Sequence, residues 1–400
     1  MKPEELRSRF AAYWNISKDT VFLNHGSFGA CPAEVSRFRK SLLDHFDKQP
    51  VDFLLRRYIP ALPDILAKLE VFTGASPGSV VFVPNATTGV NTVLSNLRLN
   101  PGDELLTTGQ EYFASRNALQ FYARRNGARI VEVPINVPVS DPDQIVDSIM
   151  SRVTNRTVLV LIDHISSATG MIFPIEELIS KLDELGIDVL VDGAHGPGMV
   201  PLNLAELGAA YYIGNCHKWM CSPCTAAILC VRPDRQDGFR PAVMSHLASD
   251  FKTELSDFQV EFSWNGTIDP TPRMTLPFTI DYLEKLHPGG WSGIMKDNHD
   301  KMAKASELIS GELGLKLACP QSCLGSMGAV ILPYMAPSNL PHPEGVDPLW
   351  TWLLREKQIE IPVIHTSDPP GRFLRFSAQL YNGDAEYEYL AQALENAPHL

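Results

Sequence analysis

Hydrophobic and polar residues along this chain form two alternating patterns. Short unbroken apolar runs are typical of buried strands, and apolar residues three or four positions apart are typical of helices. The apolar runs predict strands at 20–23, 79–83, 105–108, 129–133, 157–162 and 188–191, and an alternating stretch predicts another at 372–378. The helical spacing predicts helices at 63–72, 117–126, 143–152, 175–185 and 384–396, and a further helix that opens at 85–91.

Strands and helices alternate through the first half of the chain, which predicts βαβ units and an α/β fold. Strands that are apolar throughout are buried on both sides, so we expect a mostly parallel sheet with helices on both faces. After about residue 265 prolines become more frequent and helices longer, which predicts a smaller α+β C-terminal domain. The expected organisation is an N-terminal arm at 1–22 that packs with the small domain, a large domain at 23–267 and a small domain at 268–400.

Composition and charge narrow the class of protein. With 400 residues, 44% of them apolar and only 20% charged, the chain can bury a sizeable core. A net charge of -12 argues against a nucleic-acid partner, because neutralising phosphates requires clustered Lys and Arg. No apolar run approaches the roughly 18 residues of a membrane helix, and the first residues lack the apolar stretch of a signal peptide. We therefore expect no membrane partner and a cytoplasmic location.

The cysteine count favours a reducing compartment, since seven is an odd number and no secretory signal is visible. Cys216, Cys221 and Cys224 crowd one short segment, and the last two form a C-x-x-C. A zinc site requires four ligands, and no second pair stands at a suitable spacing. Small apolar cysteines packed around a buried loop explain the cluster better than a metal or redox site. We expect no metal.

The candidate chemistry lies between Asp192 and Lys218. Asp192 closes the predicted strand at 188–191, His195 follows three residues later, and Lys218 comes directly after His217. This set matches the needs of pyridoxal 5'-phosphate (PLP). The acid would keep the pyridine nitrogen protonated, His195 would lie beside the ring, and Lys218 would form a Schiff base and move protons. Burial and nearby positive charge would lower the lysine pKa enough for this work.

A second segment offers a phosphate site. The strand at 79–83 runs into a helix that opens with Thr87 and Thr88, and a helix N-terminus binds anions through free backbone N–H groups. Taken alone, a pair of Thr residues at a helix start is usually a helix cap, and an Asp at the end of a strand usually belongs to a turn. Their combination with Lys218 favours a cofactor site. A nucleotide-binding protein would require a glycine-rich loop such as G-x-G-x-x-G, which the sequence lacks.

Several motifs, in order along the chain, resemble the class V aminotransferase family of fold-type I PLP-dependent transferases, and within it the isopenicillin N epimerase-like proteins. They are Leu23-Asn24-His25-Gly26-Ser27-Phe28-Gly29, Asp52-Phe53-Leu54-Leu55-Arg56, Asn85-Ala86-Thr87-Thr88-Gly89-Val90-Asn91, Asp192-Gly193-Ala194-His195-Gly196-Pro197-Gly198, His217-Lys218-Trp219, Gly266-Thr267-Ile268-Asp269 and Arg375-Phe376-Ser377-Ala378-Gln379-Leu380-Tyr381-Asn382. Each motif is weak alone, and together they span residues 23 to 382.

The resemblance implies further contacts with the cofactor. Tyr112 matches the residue that stacks on the pyridine ring. The implied phosphate cup consists of Ala86, Thr87, Thr88, Asn215 and His217. Thr267 matches a residue that reaches the phosphate of the neighbouring subunit, which implies a homodimer with shared active sites.

The resemblance also implies a substrate side. Arg375 matches the arginine that binds the substrate α-carboxylate, a task suited to a planar bidentate donor. Ser167 matches a position that faces substrate and ring, and His25 belongs to the same group. Arg56 has two interpretations of equal weight, as the partner of a distal substrate carboxylate and as a charge in the dimer interface.

The implied activity is that of a PLP-dependent enzyme acting at the Cα of an amino acid or small peptide-like substrate. An epimerase is favoured, and a C–S β-elimination lyase acting on a cysteine derivative and an aminotransferase are the alternatives. A PLP-fold binding protein without catalysis is the hypothesis from another class. The sequence departs from its relatives at two places that bear on the choice between these reactions. The loop after Trp219 lacks the glycine of its relatives, and residues 360–372 contain no Cys for persulfide chemistry.

Overall fold

The computed structural model describes residues 2–245, 254–335, 346–367, 369–398 and 400. Its helices are α1 Ala33–Lys48, α2 Pro50–Asp52, α3 Ile59–Thr73, α4 Ala86–Asn96, α5 Phe113–Asn126, α6 Asp143–Met150, α7 Ile175–Asp183, α8 Leu204–Leu207, α9 Asp257–Ser263, α10 Thr271–Leu286, α11 Gly290–Leu313, α12 Pro348–Lys357 and α13 Asp384–Glu395. Its strands are β1 Val21–Phe22, β2 Val80–Val83, β3 Glu104–Thr108, β4 Arg129–Val133, β5 Thr157–Asp163, β6 Asp188–Asp192, β7 Tyr211–Asn215, β8 Ala227–Val231, β9 Met327–Ile331, β10 Ile359–Glu360, β11 Val363–Ser367 and β12 Pro370–Ser377.

A seven-stranded sheet forms the centre of the larger unit, in the order β2-β8-β7-β6-β5-β3-β4. Neighbouring strands are parallel except where β8 pairs antiparallel with β2 and β7. Successive residues of β6 enter different hydrophobic clusters, with Val189 and Val191 in one and Leu190 in the other. Both faces of the sheet are therefore covered, which explains the unbroken apolar run that encodes β6. Burying each such side chain contributes roughly 1.5–3 kcal/mol.

A smaller antiparallel sheet of three strands, in the order β11-β12-β9, forms the second unit with α11 and α13. Strand β1 pairs in parallel with β10, with Val21 opposite Ile359. The backbone N–H of Ser8 donates to the carbonyl of Tyr381 at 3.1 Å. The first residues of the chain thus pack against its C-terminal part.

The predicted fold class is confirmed: the large sheet is mostly parallel, and a smaller α+β unit follows. Helix α3 ends at Gly74, whose φ of 61° is a left-handed conformation that glycine adopts without steric cost. Helix α5 begins at Phe113, four residues before its predicted start at Asn117, because Tyr112, with a ψ of 134°, is the last residue outside the helical conformation. Strands β7 to β11 were not predicted. Across the described ranges, no helix combines the length and apolar character of a membrane span.

Candidate active site

A cavity of about 470 Å³ lies between the two sheets. One wall consists of the carboxyl ends of β5, β6 and β7, the segment after β3, and the N-terminus of α4, which is where open α/β sheets bind ligands. The other wall consists of β11, Arg375 of β12 and Trp350 of α12. A larger cleft of about 810 Å³ beside α7 and α8 contains none of the predicted site residues.

Most of the predicted site residues meet in the cavity between the sheets. Its lining includes Ala86, Thr87, Tyr112, Ser167, Asp192, His195, Asn215, His217, Lys218 and Arg375. The other predicted residues, His25, Arg56, Thr88 and Thr267, do not line it.

Lys218 is half-buried, and its Nζ lies 3.0 Å from Nε2 of His195. Burial and the nearby charge of Arg375 lower its pKa to about 8, although Asp192 and Asp163 oppose the shift. A lysine with this pKa is partly a free amine near neutral pH. It can therefore act as nucleophile and as base.

The imidazole of His195 orients the Lys218 amine. The indole N–H of Trp219 can only donate a hydrogen bond, and it lies 3.2 Å from Nδ1 of His195. Burial lowers the pKa of His195 well below its usual value, so the ring is neutral and carries its proton on Nε2. That proton points at Lys218 Nζ, which accepts it only as the free amine. Trp219 thus favours the reactive form of the lysine through His195.

Asp192 ends β6 and is buried with its carboxylate fixed by two donors. The Ser115 hydroxyl donates at 2.8 Å and the Ala194 backbone N–H at 3.1 Å. Burial raises the pKa of Asp192, and the hydrogen bonds from Ser115 and Ala194 oppose that shift. A buried carboxylate of this kind is stabilised by a cationic partner, which a protonated pyridine nitrogen would provide.

Two further acids, Glu111 and Asp163, accompany Asp192 and were missed from the sequence. Oxygens of the three carboxyl groups lie within 4.8 Å of one another. Burial first, and neighbouring carboxyl groups second, raise the pKa values of Glu111 and Asp163 well above normal. Both acids therefore hold their protons far more strongly than exposed acids do. Asp163 lies directly beside Asp192 where β5 pairs with β6. Asp163 could have been predicted from the sequence, because it too is an acid at the end of an apolar run that encodes a strand.

The phosphate side of the cavity is the N-terminus of α4. Asn85 caps this helix by accepting the Thr88 N–H at 2.8 Å, and the Ala86 N–H donates to Asn215 Oδ1 at 2.9 Å. Thr88 therefore serves the cap, whereas Thr87 faces the cavity. Nδ1 of His217 is buried and has no hydrogen-bond partner in the described part of the chain. A helix N-terminus beside an unpaired imidazole nitrogen matches the requirements of the PLP phosphate.

Arg375 is buried, with only 2% of its surface exposed, and no carboxylate pairs with it among the described residues. Its guanidinium donates to the Ser167 carbonyl at 2.6 Å, the Ser27 hydroxyl at 2.6 Å and Asn24 Oδ1 at 3.2 Å, all neutral acceptors. Burial lowers its pKa to about 10. A buried cation without an acid is costly unless a ligand supplies the anion, so the arrangement is suited to a substrate carboxylate.

Apart from Thr88, the predicted residues outside the cavity occupy two kinds of position. His25 lies behind the loop that carries Lys218, with one ring nitrogen 3.0 Å from the Lys218 carbonyl and the other 2.8 Å from the Tyr381 hydroxyl. Arg56 is exposed and pairs with Asp52 at 3.4 Å, and Thr267 is exposed as well. In a single chain, therefore, neither Arg56 nor Thr267 faces the site.

Residues 61–340 match the family model Aminotransferase class-V, and the chain belongs to this family. A relative named "Probable L-cysteine desulfhydrase, chloroplastic" from Arabidopsis thaliana is 29% identical over 98% of this chain and 85% of its own length. Isopenicillin N epimerase from Amycolatopsis lactamdurans is 31% identical over 93% of this chain and 94% of its own length.

Among solved structures, a mutant of the enzyme C-DES with glycine covalently linked to its PLP cofactor shares the fold, with a TM-score of 0.78 at 18% identity. The alignment covers 95% of this chain and 97% of that one. The chain is thus a PLP-dependent enzyme of the class V aminotransferase family, and the expected cofactor is confirmed.

Proposed function

We propose that this enzyme is a C–S lyase that removes a thiol or hydrogen sulfide from a cysteine-type α-amino acid. The observation that carries the proposal is the size of the cavity. Its volume of about 470 Å³ lies in the lower half of the usual range of about 300–1,000 Å³, and it must hold cofactor and substrate together. A cavity of this size favours a small amino acid as the substrate. The relative named L-cysteine desulfhydrase supports the same choice.

Each residue has a defined task in this proposal. PLP, when bound, supplies an electron sink for the bonds at the substrate Cα. Arg375 binds the α-carboxylate and thereby orients the Cα–H bond toward Lys218. Lys218 removes the Cα proton, and His195 holds its amine in place. Asp192 keeps a proton on the cofactor nitrogen.

Epimerisation is the second candidate, because the Amycolatopsis relative is an isopenicillin N epimerase. Both reactions begin when Lys218 removes the Cα proton. They differ in the second step, since elimination breaks the Cβ–S bond, whereas epimerisation returns a proton to the opposite face of Cα.

A single experiment with the holoenzyme distinguishes elimination from epimerisation. L-Cysteine and S-ethyl-L-cysteine are incubated in D₂O, and pyruvate, released thiol and deuterium at Cα are measured. We expect pyruvate and thiol in equal amounts, since elimination followed by hydrolysis yields one pyruvate and one ammonia for each thiol. Deuterium at Cα of recovered, partly inverted amino acid without pyruvate would establish epimerisation instead.

We also propose a homodimer with shared sites. Phe28, Tyr112 and Phe113 line the cavity and are 75%, 48% and 73% exposed. Large apolar side chains grouped at a cavity mouth mark an interaction surface, and a second copy of the chain would cover it. Sedimentation velocity should give a dimer for the wild type and mostly monomer for Phe113→Asp. A wild-type monomer at micromolar concentration would contradict the proposal.

A further inference from the structure

Three bonds of the substrate Cα lead away from the amine, to the carboxylate, to the proton and to the side chain. Arg375 binds the carboxylate and Lys218 receives the proton, whereas the large-sheet wall holds the cofactor. The substituent on sulfur therefore lies toward the small-sheet wall. The lining residues there include Trp350 of α12, Pro362, and Ile364 and Thr366 of β11.

The strand pairing places three of these side chains on the same face of the small sheet as Arg375. The Arg375 backbone N–H donates to the Pro362 carbonyl at 3.1 Å, so the two residues lie opposite each other. Side chains alternate along a strand, and Ile364 and Thr366 therefore point to this face, while His365 points to the other. Diagonal neighbours on a sheet are about 7–8 Å apart, within reach of long side chains. An amino acid bound by Arg375 is thus within reach of Ile364.

Trp350 is tied to the same place through a chain of hydrogen bonds. Its indole N–H donates to Oε1 of Glu360 at 3.2 Å, and the Asn24 amide donates to the same oxygen at 2.9 Å. Oδ1 of Asn24 in turn accepts from the Arg375 guanidinium at 3.2 Å. The indole is therefore linked to the arginine that binds the carboxylate, and its one polar group is turned toward Glu360.

The polar groups of this wall are already paired within the protein. The indole N–H of Trp350 is bound to Glu360, and the Thr366 hydroxyl donates to the Pro369 carbonyl at 2.8 Å. Pro362 and Ile364 have only apolar side chains. These four lining side chains therefore have no donor left for an anionic substituent. A carboxylate buried against them would lose its hydration without replacement, whereas an alkyl group gains from leaving water.

We propose that Trp350, Pro362 and Ile364 form a subsite for an apolar substituent on sulfur, and that the substrates are S-alkyl cysteines. Ile364 is the specificity-determining residue, because it extends from the same sheet face as Arg375 and is half-buried in the empty cavity. The assignment rests on the proposed lyase function and narrows it, since the product that leaves is an alkanethiol rather than hydrogen sulfide.

The test measures pyruvate released by the holoenzyme from S-methyl-, S-ethyl-, S-isobutyl- and S-carboxymethyl-L-cysteine. We expect kcat/KM to rise about threefold from methyl to ethyl, because one more CH₂ is buried. The carboxymethyl group has the shape of the isobutyl group but carries a negative charge, and its kcat/KM should be at least about 10²-fold lower.

Ile364→Lys supplies an ammonium group to the wall and should reduce the isobutyl-to-carboxymethyl ratio by at least about tenfold. The matched control is Leu354→Lys, at an exposed apolar position of α12, which should keep the wild-type ratio. Both substrates are measured in one preparation, so the ratio does not depend on the fraction of folded protein.

Equal kcat/KM values for the two substrates in the wild type would overturn the subsite and leave the lyase function in place. A ratio that Ile364→Lys does not change would overturn the assignment of Ile364 in the same way. If the wild type released no pyruvate from any of these cysteine derivatives, the lyase function itself would be wrong.

Discussion

The two walls of the cavity differ in how firmly they hold their functional groups. On the large-sheet wall, Asp192 and His195 are each 2% exposed and have protein partners for their polar atoms. On the small-sheet wall, exposure rises along β11 from half-buried His365 and Thr366 to exposed Ser367. Rigid placement suits the cofactor, whose chemistry is the same for every substrate. The more open wall is where differences in substrate side chain can be accommodated.

Loss of Lys218 should have the largest effect, because it removes base and cofactor attachment together. For Lys218→Ala we expect turnover to fall by at least about 10⁴-fold. Borohydride treatment of the PLP-loaded wild type should fix a label on the protein, and the variant should take up none. The control is Lys181→Ala, at an exposed position of α7. Labelling of the Lys218 variant at the wild-type level would show that another lysine carries the cofactor.

The next largest effect on the large-sheet wall is expected from removing the negative charge of Asp192 while keeping its shape. Asp192→Asn keeps the size of the side chain but removes its negative charge, so the electron sink weakens. We expect kcat to fall by about 10²–10³-fold. Ser115→Ala removes only one hydrogen bond to the same carboxylate, of about 1 kcal/mol, and should cost several-fold. Similar losses of kcat in both variants would mean that Asp192 acts through the position of its side chain and not through its negative charge.

Arg375 joins the two walls, since it belongs to β12 and donates to Ser167 on the large-sheet side. For Arg375→Lys we expect kcat/KM for a cysteine derivative to fall by about 10- to 10²-fold, because a lysine cannot form the bidentate contact with a carboxylate. The matching S-alkyl cysteamine lacks the carboxylate, and its slow turnover should be the same in both proteins. A parallel loss with the cysteamine would assign Arg375 a role in folding of the site.

The large-sheet wall could be predicted from the sequence because its chemistry coincides with its secondary structure. Asp192 follows an unbroken apolar strand, and Lys218 and His195 stand at short intervals from strand ends. The carboxyl ends of parallel strands meet at one edge, so a linear pattern translates into a cluster. Asp163 obeys the same rule, because it too ends an unbroken apolar strand of this sheet.

The small-sheet wall could not be predicted in this way. His365 and its neighbours on β11 line the cavity because β11 pairs with β12, the strand that carries Arg375. Antiparallel strands place side chains by register, which a single apolar pattern does not reveal. The position of Arg56, exposed beside Asp52, likewise depends on how a helical turn packs and on what a second chain would cover.

The smallest expected effect is on stability, and it comes from the proton that Glu111 holds on the large-sheet wall. Because burial and nearby carboxyl groups raise its pKa, the folded chain binds this proton more tightly than the unfolded chain. Stability from this group is therefore complete below the unfolded pKa of about 4.3 and is lost as pH rises toward the folded value. Glu111→Gln removes this dependence, and we expect it to stabilise the apoenzyme near neutral pH by roughly 1 kcal/mol.

Thermal unfolding of the apoenzyme near pH 5 and near pH 7.5 measures this effect. The wild type should lose more of its midpoint temperature between the two than Glu111→Gln does, whereas Glu184→Gln, at an exposed position, should behave as the wild type. Asp163→Asn should flatten the pH dependence in the same direction, since its pKa is raised by the same causes. An unchanged slope in both site variants would mean that neither acid holds its proton more tightly in the folded chain than in the unfolded chain. The large-sheet wall would then hold more negative charge around the cofactor nitrogen than its hydrogen bonds indicate.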